Sequence, residues 1–211
     1  PPTLGSLARS LLAECMPLSD GDRAVALAAY RLLAGGEPVA LADLAQAVRR
    51  DEDAVRSLLW RWPDVYYDGE GRIVGFWGLD LRQTAHRFEV EGRSLFTWCA
   101  WDPLFLAAIL QREARVESRC PATGAGIVVT VGPRGVVQVT PAEAVLSFMK
   151  DSCTGDSVID RFCRYVVFFA SEEAAQPWIA KHPGTVVLSI DEAFELGRLL
   201  NAERFGSVTQ G

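Results

Sequence analysis

Near residue 80 the hydrophobic pattern changes its period, and that change constrains the architecture more than any other feature of the chain. Before it, helical spacing gives way to a β-rich hairpin; from His86 two-residue alternation sets in, with further helices between the strands. Leu4 to Cys15 places Leu7, Leu11 and Leu12 on one face. A second helix carries Val25, Leu27, Ala28 and Leu32, with Ser19 as its cap and Gly35-Gly36 as its stop. Leu41 to Val48 and Asp53 to Leu59 read as two shorter helices. The latter is opened by Asp51, Glu52 and Asp53, which suit the positive end of a helix. The stretch 64–77 then reads as two β-rich runs around an Asp68-Gly69 turn.

Past this point His86 to Val90 and Ser94 to Trp98 alternate and meet at Glu91-Gly92, the signature of a hairpin. A helix is expected from Asp102 or Pro103 to Gln111, with proline in its first turn. Arg115 to Cys120, Ile127 to Val131 and Val136 to Thr140 read as strands, Pro141 to Met149 as a short helix, and Lys150 to Asp160 as a polar loop. Phe162 to Ala170 reads as a strand, Glu172 to Lys181 as a helix, Thr185 to Ile190 as a strand, and Asp191 to Arg204 as the last helix. Strands and helices mix without regular βαβ alternation. The expected class is α+β with antiparallel sheets: a helical, winged-helix-like subdomain over residues 1–80 and a mixed α/β core over residues 81–211.

Three helices followed by a β-ribbon is also a DNA-reading design. Residues 1–80, however, hold eight Arg and no Lys against twelve Asp or Glu, and the whole chain carries a net charge of −6. An acidic surface is a poor binder of phosphate backbones. The subdomain is therefore expected to pack on the rest and cover a site, with no nucleic acid as partner. With 49 % hydrophobic residues the chain can build a core without disulfides. Its apolar runs are too short to span a bilayer, and its first fifteen residues lack the features of a signal peptide. A cytoplasmic protein with reduced thiols is the expectation.

Five cysteines at irregular spacing, Cys15, Cys99, Cys120, Cys153 and Cys163, form no disulfide framework and no CxxC pair. His86 and His182 have no ligand-spaced partner, which argues against structural zinc. Cys99 sits where a strand ends and a helix begins, in Trp98-Cys99-Ala100-Trp101-Asp102-Pro103. A thiol at a helix N-terminus is expected to have a lowered pKa. Asp102 is either the cap of that helix or an acid beside the thiol, and Cys99 either a core residue or a nucleophile. Strand alternation would put Cys163 on one face with Tyr165 and Val167, and Arg164 on the other. Cys120 and Cys15 read as structural, and Cys153 as an exposed loop thiol. Spacing alone leaves open whether Cys99 and Cys163 meet.

The stretches Leu95-Phe-Thr-Trp-Cys-Ala-Trp-Asp102, Ala114-Arg-Val-Glu-Ser-Arg-Cys-Pro-Ala-Thr-Gly124, and Phe162-Cys163 ahead of Val167-Phe-Phe-Ala-Ser171 occur in that order. Trp178 and Asp191-Glu-Ala-Phe-Glu-Leu-Gly197 follow. In this the chain resembles the alkylmercury lyase family, from about Thr84 to about Asn201. The resemblance implies that Cys99 and Cys163 are the essential cysteines, Asp102 the catalytic aspartate, and Cys120 a structural thiol. It departs at Cys163-Arg164-Tyr165, where members carry Cys-Cys-His. The implied activity is protonolysis of a carbon–mercury bond. Thiolate is the soft ligand for a soft metal, and a positioned acid must protonate the carbon. Cys99 is expected to attack mercury, Asp102 to shuttle the proton and Cys163 to add the second thiolate. Burial against Trp98, Trp101 and Phe105 would raise the Asp102 pKa. No resident cofactor is implied; small thiols would be co-reactants and a mercuric reductase a partner. A non-catalytic mercury or copper(I) binder and a transcription regulator are the competing functions, with a thiol hydrolase weaker because neither histidine is paired with Cys99.

Overall fold

The computed structural model describes residues 3–14, 17–150 and 157–206. Cys15 and Cys153, expected from the sequence as a structural thiol and an exposed loop thiol, lie outside the described residues. The chain opens with four helices, α1 (Leu4–Glu14), α2 (Asp20–Leu33), α3 (Leu41–Val48) and α4 (Glu52–Leu59). Ser19 caps α2 through a reciprocal box with Asp22. The Asp51 carboxylate accepts from the amides of Asp53 and Ala54 to start α4. Strands β1 (Val65–Tyr67) and β2 (Ile73–Phe76) form the expected ribbon, and the Asp68 side chain closes its turn by accepting from the Glu70 and Arg72 amides.

A third, two-residue strand, β3 (Leu79–Asp80), was not legible in the sequence. It pairs with β2 on one side and with β5 on the other. The rest of the chain comprises β4 (His86–Val90), β5 (Arg93–Thr97), α5 (Asp102–Leu110), β6 (Ala114–Arg119), β7 (Gly126–Gly132), β8 (Gly135–Thr140), β9 (Val145–Met149), α6 (Val158–Arg161), β10 (Phe168–Phe169), α7 (Glu172–Lys181), β11 (Thr185–Ser189) and α8 (Ile190–Phe205). Eight strands form one antiparallel sheet in the order β1-β2-β3-β5-β4-β6-β7-β8, and three form a second, β10-β9-β11. The class is α+β, as expected.

Register explains where the core lies. Phe88 stands opposite both Leu95 and Val116, and Val116 opposite Val129, so a buried apolar row crosses four strands. Helix α5 packs against this sheet, α2 and α8. Every residue of α5 from Asp102 to Leu110 is buried. A helix apolar on all sides is the signature of a central element rather than a surface one, so Asp102 enters the middle of the molecule at the head of this helix.

Two expectations fail. Pro141 to Met149 is a turn followed by the strand β9, not a helix. A short apolar run has no decisive period, and pairing on both sides with β10 and β11 selects the extended form. Likewise 162–170 is not one strand: Cys163–Tyr165 is a 3-10 turn, and only Phe168–Phe169 pairs in a sheet. The buried Ser147 hydroxyl donates to the Tyr165 carbonyl (2.7 Å) and accepts from the Val167 amide (3.1 Å). These two side-chain bonds satisfy backbone groups that a strand partner would otherwise take. The expected loop 150–160 also contains α6, capped by Ser157.

Candidate active site

Three segments far apart in sequence converge at the N-terminus of α5. Between β5 and α5, the Thr97 hydroxyl donates to the Cys99 carbonyl (3.2 Å). The Trp98 amide donates to the Gly78 carbonyl (3.1 Å), which fastens this link to the ribbon. The Ala100 amide donates to the Val166 carbonyl (3.0 Å), which fastens it to the 3-10 turn that carries Cys163. One consequence is that Cys99 Sγ, Cys163 Sγ and a carboxylate oxygen of Asp102 all lie within 4.8 Å of one another. Among the described residues no other group of three or more His, Cys, Asp or Glu side chains is gathered this way. His86 is buried beside Ser118 and Phe168, and Cys120 is buried just after β6.

The turn also overturns the alternation reading. Cys163 is buried, whereas Tyr165 is half-buried and Arg164 exposed, so side-chain direction follows the 3-10 turn and not a two-residue period. Nor does Asp102 cap its helix: it is the first helical residue, and no side-chain cap is present. Its Oδ2 instead accepts from the Cys99 amide at 2.7 Å, turning the acid back toward the thiol.

Electrostatics in this site is governed by burial. The Asp102 pKa is raised to about 7 because a buried carboxylate loses its hydration, although the Cys99 amide, the Cys99 thiol and the Trp98 amide pull it down. The expectation of a raised acid holds. The expectation of a lowered Cys99 pKa does not: burial, the hydrogen bond with Cys163 and the Asp102 charge push that thiol well up. The dipole of α5 is outweighed. Cys163 is held down by its hydrogen bond with Cys99, but burial and the charges of Asp102 and Asp64 leave it raised on balance. Both thiols are therefore neutral at rest.

A cavity of about 200 Å³ opens on this cluster, walled by Trp77, Trp98, Trp101, Phe105 and Phe162. Cys163 and Asp102 are part of its wall; Cys99 is not, and lies fully buried behind them. Sequence reasoning missed several wall residues. Gly78 has φ +102, and a Cβ there would stand 2.7 Å from Asp102 Oδ1. Asp64 and Trp77 also have positive φ, 59 and 38, uncommon for residues with a side chain and concentrated at functional sites. Arg204 comes from the last turn of α8. The one available signal was Gly78 after a tryptophan in a β-rich run, where a glycine often marks close approach of another group. Trp98 is positioned from behind: its Nε1 donates to Asp80 (2.7 Å), which is itself paired through both oxygens with Arg82.

Within this α+β fold with its winged-helix-like entry, a buried pair of thiols sharing an acid is a donor set that suits a soft metal. Comparison narrows this. The family profile described as alkylmercury lyase matches residues 79–201, and the profile described as the helix-turn-helix domain of alkylmercury lyase matches residues 6–77. The chain is 45 % identical over 170 residues to an alkylmercury lyase of Streptomyces lividans, covering 81 % of this chain and 78 % of that one. It is 42 % identical over 172 residues to an alkylmercury lyase of Staphylococcus epidermidis, covering 82 % and 79 %. The crystal structure of the mercury-bound form of MerB2 superposes with a TM-score of 0.75 at 25 % identity, covering 97 % of this chain and 98 % of that one. The chain belongs to the alkylmercury lyase family of enzymes. No helix among the described residues is long and apolar enough to cross a membrane.

Proposed function

We propose that this chain cleaves carbon–mercury bonds by protonolysis, with Cys163, Cys99 and Asp102 as its catalytic residues. The observation that carries the assignment of these three is their gathering within 4.8 Å beside an apolar cavity. The order of thiols differs from the sequence expectation. Mercury meets Cys163 first, because Cys163 lines the cavity and its sulfur is the one stabilised by the neighbouring S–H. Its thiol proton leaves with the displaced ligand of mercury. Cys99 then gives its proton to the Asp102 carboxylate, its hydrogen-bond partner, and binds mercury as the second thiolate. Two thiolates push electron density onto carbon, and Asp102 returns the proton there. The carbon–mercury bond breaks, and the products are a hydrocarbon and mercury(II) held by two sulfurs. Two small thiols then take up the metal and give their protons back to the cysteines, for onward transfer to a reductase.

An acid raised to about 7 suits both halves of this proton transfer. The aromatic wall limits water around the carbon; two thiols and an acid supply every group this reaction uses, so no resident cofactor is called on. Pro63, Asp64 and Trp77 give the helix-turn-helix region a place in the cavity wall, and α4, opened by Glu52 and Asp53, is poorly suited to a phosphate backbone. On this reading residues 1–80 cover the site instead of reading DNA, in a cytoplasmic protein whose thiols stay reduced.

The test is benzene release from phenylmercury with excess small thiol, for wild type, Cys99→Ser, Cys163→Ser and Asp102→Asn. Turnover is expected in wild type and lost in all three variants, with mercury(II) binding retained in Asp102→Asn. Benzene release by either serine variant at the wild-type rate would remove that thiol from the mechanism.

A further inference from the structure

The cavity wall carries one cationic side chain that this chemistry leaves idle. Arg204 places its guanidinium 4.6 Å from the centroid of the Trp77 ring. Its Nε is buried without a hydrogen-bond partner, and none of the ion pairs among the described residues includes it. It is the only Lys or Arg among the described residues that line this cavity. An arginine is ionised at every working pH. The carboxyls that share its wall are otherwise engaged: Asp64 accepts from the Val158 amide (3.3 Å), and Asp102 from Cys99. Stacking on Trp77 and the negative end of α8 explain why the cation is tolerated there. Neither satisfies the Nε–H, and the planar fork of a guanidinium matches a carboxylate.

On the lyase reading given above, we propose that Arg204 docks a carboxylate on the mercury compound entering the cavity, which makes it a specificity-determining residue. The aromatic wall and the volume suit a ring, since a cavity of roughly 150 Å³ lined by apolar side chains accepts benzene. A ring-borne carboxylate would then be held at Arg204 while mercury reaches the thiols. The same carboxylate can instead belong to the small thiol that carries mercury in or out.

The experiment compares kcat/KM for phenylmercury and 4-carboxyphenylmercury, each with neutral 2-mercaptoethanol or anionic mercaptoacetate, in wild type, Arg204→Gln and Arg204→Lys. Arg204→Gln is expected to lower the ratio of carboxylated to neutral rates about tenfold, and Arg204→Lys to retain most of it. A fall between the two substrates assigns the carboxylate to the organic group; a fall between the two thiols assigns it to the carrier. Ratios unchanged in both comparisons overturn the proposal. A tryptophan-fluorescence titration with the same two mercurials reads carboxylate docking independently of turnover. If wild type releases no benzene, the lyase reading fails, while a preference for 4-carboxyphenylmercury lost in Arg204→Gln would still uphold the docking site.

Discussion

Replacing Gly78 by alanine adds one methyl group to the molecule at the point where the ribbon touches the acid. The new Cβ would stand 2.7 Å from Asp102 Oδ1 and 2.8 Å from its Cγ, while ordinary contact begins at 3.4 Å. Something must therefore yield by about 0.7 Å, the difference between those distances. The ribbon is fixed by the Trp98 amide on the Gly78 carbonyl and by the Tyr30 hydroxyl on the Trp77 carbonyl, so the carboxyl moves. Forcing a side chain into φ +102 adds strain of about 1–3 kcal/mol. A displacement approaching 1 Å at a reacting group costs on the order of 100-fold in rate. Gly78→Ala is thus expected to lose about 1–3 kcal/mol in a urea melt and to slow benzene release from phenylmercury roughly 30- to 100-fold. Mercury(II) binding by the two thiols should be nearly preserved. The assay pairs headspace detection of benzene under single-turnover conditions with a mercury(II) competition titration. Wild-type benzene release by a folded Gly78→Ala protein would refute the contact as a positioning device, and equal losses of mercury binding and turnover would show that the whole site, not the acid alone, had moved.

Asp102→Asn should alter the pH profile of stability. The folded acid holds its proton up to about 7 and the unfolded one only to 3.8, so wild-type stability falls as pH rises between those values, by about 4 kcal/mol in total. The Asn variant should show a flatter profile and be the more stable protein at pH 8, as read by urea melts at pH 5 and pH 8; parallel profiles for the two proteins would mean that the carboxyl is not held neutral. Asp80→Asn weakens the support behind Trp98 and should cost about 1–3 kcal/mol, discounted because Arg82 is half exposed; an unshifted tryptophan emission would contradict that support. Leu106→Ala, in the fully buried α5, should cost about 2–5 kcal/mol in thermal or chemical unfolding; a loss below 1 kcal/mol would show that the helix is less tightly packed than its burial implies.

The helices of the first sixty residues were legible from their amphipathic period, and α2 and α4 also from the caps at Ser19 and Asp51. The hairpin was legible from alternation on both sides of Glu91-Gly92, and the start of α5 from its first-turn proline. Failures fell where a long-range partner decides. β9 is extended because strands lie on both sides of it, and Cys163 turns inward because Ser147, eighteen positions away from Tyr165, takes the backbone bonds. No local pattern encodes either. The residues that the structure gathers into the candidate site were legible through the ordered motifs around Cys99, Asp102 and Cys163, but their geometry was not. Period-two reasoning gave Cys163 the wrong neighbours, and helix-end reasoning gave Cys99 the wrong direction of pKa shift because it neglected burial. Gly78 and Arg204 entered only through tertiary structure.

A backbone hydrogen bond from Ala100 to Val166 joins the two thiol-bearing segments, and sixty-four positions of chain separate Cys99 from Cys163. A metal ion bridging the two sulfurs closes that loop as a covalent crosslink does, and the chain-entropy relation for a loop of this size gives about 4 kcal/mol. The enzyme would then be hardest to unfold while it still holds its toxic product. If small thiols remove the metal as proposed, their scarcity would leave a reservoir of stapled, protease-resistant protein, and thiol supply would set the persistence of the enzyme as well as its turnover.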